Sequence, residues 1–152
     1  MSSQAVYVLP ACRANAIALA PNLREIDKRE CKVLHGVTPE VGLKLSLAAS
    51  MLSYTAFDRK DEPIGMFGVG RDGAVWCVST DAIYEPAVTL HFLRNSRFWI
   101  DRFHETYPLL WNHIHAENHL HIKWLQWLGF TFIRRFTVKG EPFYEFVKLK
   151  CV

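Results

Sequence analysis

The sequence predicts an α+β fold in which a mixed, mostly antiparallel central sheet is flanked by helices. Three observations carry this. Short runs rich in β-branched and aromatic residues, bounded by Gly, Pro and Asp, recur along the chain and read as strands. Segments with apolar residues at three- and four-residue steps separate them and read as helices. Three strand runs follow one another across hairpin-length turns, which is an antiparallel meander and not a parallel βαβ repeat. With 152 residues, half of them hydrophobic and 22% charged, the chain is expected to form one domain over residues 1–152 with a sizeable core. No linker, internal repeat or low-complexity segment divides it.

Taken in order, "AVYVLPAC" is a first strand ended by Pro10. "RANAIALAPNL" is a short helix broken at Pro21. "REIDKREC" reads as a charged, exposed helix. "TPEVGLKLSLAAS" starts a helix with Thr38 as N-cap and Pro39 in the first helical position. The meander follows: "SYTAFD", the polar turn "RKDEP", "IGMFGVG", the glycine turn "RDG", and "AVWCVST". The last of these is almost wholly apolar, as expected of a central strand covered on both faces. "EPAVTLHFLRNSRFWIDRFHETY" is the longest helix, with Pro86 in its first turn. Phe92, Ser96, Trp99, Phe103 and Tyr107 make its packing face, and Pro108 stops it. "LLWNHIHA" is a strand. In "AENHLHIKWLQWLGFTF" Asn118 caps a short helix that Gly129 closes. "FTFIRRFTV", the turn "KGEP" and "FYEFVKL" finish as an antiparallel hairpin.

The formal charge of +3 is mild. The clusters "DRKDEP" and "REIDKRE" mix both signs, as solvated surfaces do, so no nucleic-acid partner is expected. Cys12, Cys31, Cys77 and Cys151 are scattered and form no C-x-x-C pair, which argues against a zinc ribbon or redox motif and for reduced thiols in a cytosol. No basic segment followed by an apolar run opens the sequence, and nothing approaches membrane-spanning length. "HIHAENHLH" holds His113, His115, His119 and His121. His119 and His121 stand two apart on a helix and diverge by roughly 200°, so no metal site is expected. One of these histidines could serve as a general base. Glu117 is either a base or a favourable charge at a helix start. Trp76, Trp111, Trp124 and Trp127 bracket a ligand or belong to the core. No G-x-S-x-G, P-loop or H-E-x-x-H pattern is present.

The element order, together with Asn118, the aromatic helix "KWLQWL" and Gly129-Phe130, resembles the GNAT fold of acetyl-coenzyme-A-dependent N-acetyltransferases. The pieces "NLREIDKRE", "WCVSTD", "FLRNSRFW", "YPLLWN" and "LHIKWLQWLGF" more closely resemble a tailed-bacteriophage family of GNAT-like proteins, some described as internal virion proteins and others as acetyltransferases. The resemblance implies that "AVWCVST" and "LLWNHIHA" splay apart and leave a slot for the pantetheine arm of acetyl-CoA or CoA. It implies cofactor contacts from Cys77, Val78, Ser79, Thr80, Asn118, Arg94 and Trp124. His115, Glu117 and Tyr84 are the candidate catalytic residues, with His121 or water as further proton donors to the leaving thiolate. A strand that leaves its neighbour has N–H and C=O groups in need of partners, which an amide chain can supply.

Two departures from the family pattern tell against chemistry. The segment "STDAIYEPAV" stands where GNAT enzymes carry a glycine-rich pyrophosphate turn. Asp81 and Glu85 repel phosphate there, and Pro86 lacks an N–H. Leu125 stands where many GNATs carry a tyrosine that protonates the thiolate. Three functions are therefore weighed. One is acetyl transfer to an amine of a host protein or small molecule. Another is a catalytically degenerate phage protein that binds a host protein through exposed aromatics. The third is an internal virion component. The first and second place the chain in the host cytoplasm and the third in the virion. A homodimer is left open.

Overall fold

The computed structural model describes residues 6–151. Two antiparallel half-sheets make the centre of the molecule. In the first, β1 (Tyr7–Pro10), β2 (Ser50–Phe57), β3 (Pro63–Gly70) and β4 (Val75–Ser79) lie in chain order. In the second, β5 (Leu109–His115), β6 (Thr131–Val138) and β7 (Glu141–Leu149) lie in the order β5-β7-β6. Helices α1 (Arg13–Leu19), α2 (Glu25–His35) and α3 (Pro39–Ala49) precede the meander, α4 (Pro86–His104) joins the half-sheets, and α5 (His119–Leu128) links β5 to β6. The α+β class, the meander and the closing hairpin are as the sequence predicts.

Among the described residues the backbones of β4 and β5 pair at one place. Ala74 and Trp111 form an isolated parallel bridge, and the Trp111 N–H donates to the Gly73 carbonyl at 3.2 Å. Gly73 is obligatory there. Its φ is +86°, and a Cβ would stand 2.6 Å from the Leu109 carbonyl oxygen, inside contact distance and in a region costly for L-residues.

Strand alternation sorts the core into layers. Met66, with Trp76 and Val78 beside it, faces Leu19, Leu23 and Leu43 on one side of the sheet. Phe67, Val69 and Val75 face Ile100 and Phe103 of α4 on the other, in one cluster with Leu110, Ile114 and Phe146 of the second half-sheet. That cluster crosses the seam, so apolar packing joins what the backbone ladder does not. Burying each such side chain contributes about 1.5–3 kcal/mol.

The helix signals act as the sequence implies. Thr38 Oγ1 accepts the Val41 N–H, with Pro39 at the first position. Gly129, at φ +94°, closes α5. Three expectations are corrected. The most buried strand is β3, with seven of eight residues buried, because β4 borders the gap between the halves. Asn118 stands at the N-cap of α5, but its side chain makes no capping bond. The charged segment 24–31 is not simply exposed, since Arg24 and Asp27 are each only 2% exposed. Among the described residues no helix is long and apolar enough to cross a membrane.

Candidate functional site

Beyond the Ala74–Trp111 bridge, β4 and β5 part. Which backbone groups face the gap follows from parity. Gly70 N–H bonds the Ala74 carbonyl and Thr80 N–H the Ile64 carbonyl, so even-numbered β4 residues bond β3 and odd-numbered ones point into the wedge. Val78 is therefore committed to β3, while Val75, Cys77 and Ser79 present their N–H and C=O groups to the gap. The Val75 carbonyl accepts Asn112 Nδ2 at 2.7 Å. The Ser79 carbonyl accepts the Arg24 N–H at 2.9 Å, and the Ser79 N–H donates to Asp27 Oδ2 at 3.0 Å. Leu23 forms a bridge with Thr80. Across the wedge, the His115 N–H donates to Glu30 Oε1 at 3.1 Å. The wide end of the wedge is thus filled by α2 and the residues just before it.

The filling is a connected polar network. Arg24 makes a two-pronged ion pair with Asp27, Nε to Oδ2 at 3.0 Å and Nη2 to Oδ1 at 2.9 Å. It also donates to Asn118 Oδ1 at 3.3 Å and to Tyr84 Oη at 3.2 Å. Asn118 Nδ2 donates to Glu30 Oε1 at 2.9 Å. The Arg24 guanidinium also lies 3.2 Å from His121 Nε2. Burial, with Arg24 beside it, pushes the His121 imidazole down to about 3, so it is a neutral acceptor near neutral pH. Burial works against the Arg24 charge, and Asp27 more than offsets it. Among the described residues no cation pairs directly with Glu30, and Arg24 only partly offsets its burial. Desolvation, and then the Asp27 charge, push its carboxyl up to about 7.

Below this network a cavity of about 240 Å³ crosses the sheet between β4 and β5. It runs from Leu34 and Pro39 on the α2–α3 side, past Trp76, Cys77 and Ile114, to Phe92, Trp99 and Trp124 on the α4–α5 side. Its walls are mostly apolar. Cys77 is the remaining odd-numbered β4 residue along it, and burial pushes its thiol up to about 12, which leaves the sulfur an inert thiol.

Of the residues proposed from sequence, Cys77, Val78 and Trp124 line this cavity, and Ser79 and Asn118 belong to the polar network. Thr80 Oγ1 accepts the Ala82 N–H and so caps a short 3₁₀ turn, Asp81–Tyr84. His115 has both ring nitrogens engaged, Nε2 with Glu141 Oε1 at 2.9 Å and Nδ1 accepting the Glu117 N–H at 3.0 Å. It does not line the cavity. Glu117 is exposed. Tyr84 is 56% exposed and abuts Arg24. Arg94 lies apart, in an outer groove between α4 and α5. His113 meets Glu145 at 2.9 Å. Sequence reasoning missed Arg24, Asp27 and Glu30. One signal was available: Leu23, Asp27, Glu30 and Leu34 recur at helical steps, which puts two carboxylates on a stripe that is otherwise apolar.

The cavity has room for a slender apolar chain, but the groups around it do not suit the phosphate end of coenzyme A where the resemblance puts it. The wedge edge groups at Ser79 are already bonded to α2. The β4–α4 connection is a 3₁₀ turn that carries Asp81, followed by Glu85 and Pro86. Phosphates there would meet carboxylates, and Pro86 removes one of the N–H donors that a helix start offers them. Among the described residues the buried side-chain atoms without a partner are Ser79 Oγ and His104 Nε2, and one hydroxyl is no pyrophosphate cradle. Leu125 packs on the core and offers no proton.

Comparison with known proteins agrees with this architecture. The profile of the family described as "Bacteriophage T7, probable scaffold protein Gp13" matches residues 60–137, just over half of the chain, and the chain belongs to that family. No curated protein matches the sequence. The fold is that of GNAT acetyltransferases. The ribosomal-protein-S5-alanine acetyltransferase of Vibrio fischeri superposes with a TM-score of 0.63 at 17% identity, covering 98% of this chain and 95% of that one. A GCN5-related N-acetyltransferase from Kribbella flavida gives 0.66 at 15%, covering 96% and 98%. The spermidine N-acetyltransferase of Vibrio cholerae, solved with CoA and spermine, gives 0.63 at 11%, covering 95% of each chain.

Proposed function

We propose that this chain is a phage protein that works by contact, in particle assembly or on a host protein, and that it uses the GNAT frame as a rigid scaffold without transferring acetyl groups. One observation carries the reading. The wedge mouth, which a coenzyme arm would have to enter, is held by the chain's own Arg24, Asp27 and Glu30, bonded to β4 at Ser79 and to β5 at His115. A ligand taking that place would have to displace a buried ion pair. Leaving one member of such a pair uncompensated costs about 3–5 kcal/mol. The scaffold description of the family supports the same reading.

Thermal denaturation with acetyl-CoA or CoA tests it. A ligand at a hundred times its dissociation constant stabilises by about 2.7 kcal/mol, or roughly 5–11 °C for a chain of this size. No shift up to millimolar coenzyme, and no thiol release in the presence of amines, is the expected outcome. A saturable shift with release of CoA would overturn the reading. A second reading keeps the coenzyme, and the cavity favours it: its apolar bore beside the Cys77 backbone suits a slender chain. A saturable shift without thiol release would support that version.

A further inference from the structure

We propose that the groove between α4 and α5 is a docking site for an acidic, amphipathic helix of a partner protein. The inference rests on the contact reading above and names where the contact is made. Leu90, Leu93, Arg94 and Arg97 line it from α4. Leu120, Lys123, Trp124 and Trp127 line it from α5. Both sets follow the spacing i, i+3, i+4, i+7, so each helix turns one continuous stripe towards the groove.

The helices run side by side in the same direction, since Phe92 stacks on Trp124 with ring centroids 5.9 Å apart and the Arg97 guanidinium lies 4.2 Å from the Trp127 ring centroid. Two parallel stripes leave a trough that a third helix can enter, as in helix-in-groove recognition. The apolar floor is open: Leu90 is 45% and Trp127 46% exposed.

Charge selects the occupant. Three cations line the trough and no carboxylate does. Arg94 and Lys123 are exposed. Arg97 spends its charge on the face and carbonyl of Trp127, which holds that ring as a rigid wall. Asp101, one turn beyond Arg97 on α4, and Glu117, in the turn before α5, lie beyond opposite ends of the stripes and so limit the site to about two or three turns of helix. A partner helix with an apolar stripe flanked by Asp or Glu complements the floor and the cations together. Leu, Trp and a few fixed cations offer nothing that follows a nucleic-acid backbone, where a longer basic track is needed.

The test uses the full chain and a fluorescent helix-forming peptide about three turns long, with a leucine stripe flanked by glutamates. Its controls are a scrambled peptide of the same composition and a version with lysine in place of glutamate. The acidic peptide is expected to bind at least tenfold tighter than either control. Arg94→Glu with Lys123→Glu, both at exposed positions, is expected to weaken it at least tenfold with the melting temperature unchanged, and to improve binding of the lysine peptide. Equal binding of acidic and scrambled peptides would overturn the proposal, as would indifference to the charge reversal. Displacement of the acidic peptide by CoA would reassign the groove to a nucleotide. Retention on anionic vesicles or duplex DNA, lost on charge reversal and without peptide binding, would reassign it to those surfaces. Failure here leaves the acetyl-CoA titration unaffected, so the two readings fall separately.

Discussion

Asp27→Ala is the sharpest probe of the wedge. The substitution removes both bonds to Arg24, at 3.0 and 2.9 Å, and the acceptor of the Ser79 N–H. The guanidinium left behind is 2% exposed and retains only neutral partners in Asn118, His121 and Tyr84. Orphaning one member of a buried pair costs about 3–5 kcal/mol. The freed Ser79 N–H adds to this less than the full 1–3 kcal/mol of an unmet donor, because the emptied site admits water. At 2–4 °C per kcal/mol the melting temperature should fall by roughly 6–20 °C. Urea denaturation followed by tryptophan fluorescence measures the loss directly. The double variant Arg24→Met, Asp27→Leu removes both charges, so its deficit should shrink to the unmet Ser79 donor, about 1–3 kcal/mol. If Asp27→Ala loses under about 1 kcal/mol, or the double variant is no better than the single, the pair is not a desolvated staple and the argument against a coenzyme arm fails with it.

Glu30 gives the wedge a pH signature. Its folded pKa, about 7, lies above the ordinary 4.5, so between those values the folded state holds the proton more tightly and stability falls as pH rises. His121 has the opposite sign: with its folded value near 3 against 6.5, its contribution rises with pH across that window. The difference between Glu30→Gln and the parent cancels the histidine. Glutamine keeps an acceptor for Asn118 and His115, so the variant should match the parent near pH 4.5 and exceed it above pH 7, by up to about 3 kcal/mol; a pH-independent difference would refute the assignment. Gly73→Ala should destabilise by about 1–2 kcal/mol from backbone strain alone, and more from the approach to Leu109, in a urea titration; a neutral effect would mean the seam is not held there. Thiol titration with an aromatic disulfide should find Cys12 and Cys151, which are exposed, reacting quickly and the half-buried Cys77 far more slowly; labelling of Cys77 as fast as theirs would contradict its high-pKa setting.

Much of the frame was legible because its signals are local. Thr38-Pro39 starts a helix by supplying one acceptor and one preset φ, and Gly129 ends one by tolerating positive φ; neither depends on distant neighbours. The glycine turns and β-branched runs marked the meander in the same way. The site was less legible because its determinants are non-local. Arg24, Asp27 and Glu30 look like a solvated face until it is known that Ser79 and His115 have lost a strand partner and that α2 lies beside them. Asn118 carries a capping residue's identity and position, yet Arg24 and Glu30 outcompete the helix for its amide. The departures at "STDAIYEPAV" and Leu125 could be read directly, since each is a missing chemical group at a known place in the fold.

The isolated backbone bridge at Ala74 and Trp111 has an evolutionary corollary. An ordinary ladder resists point mutation, because every residue type except proline donates the same amide. In this molecule much of the cohesion between the halves rests on α2 side chains and one apolar cluster. Natural variation can therefore loosen or tighten the coupling one codon at a time, with every strand left intact.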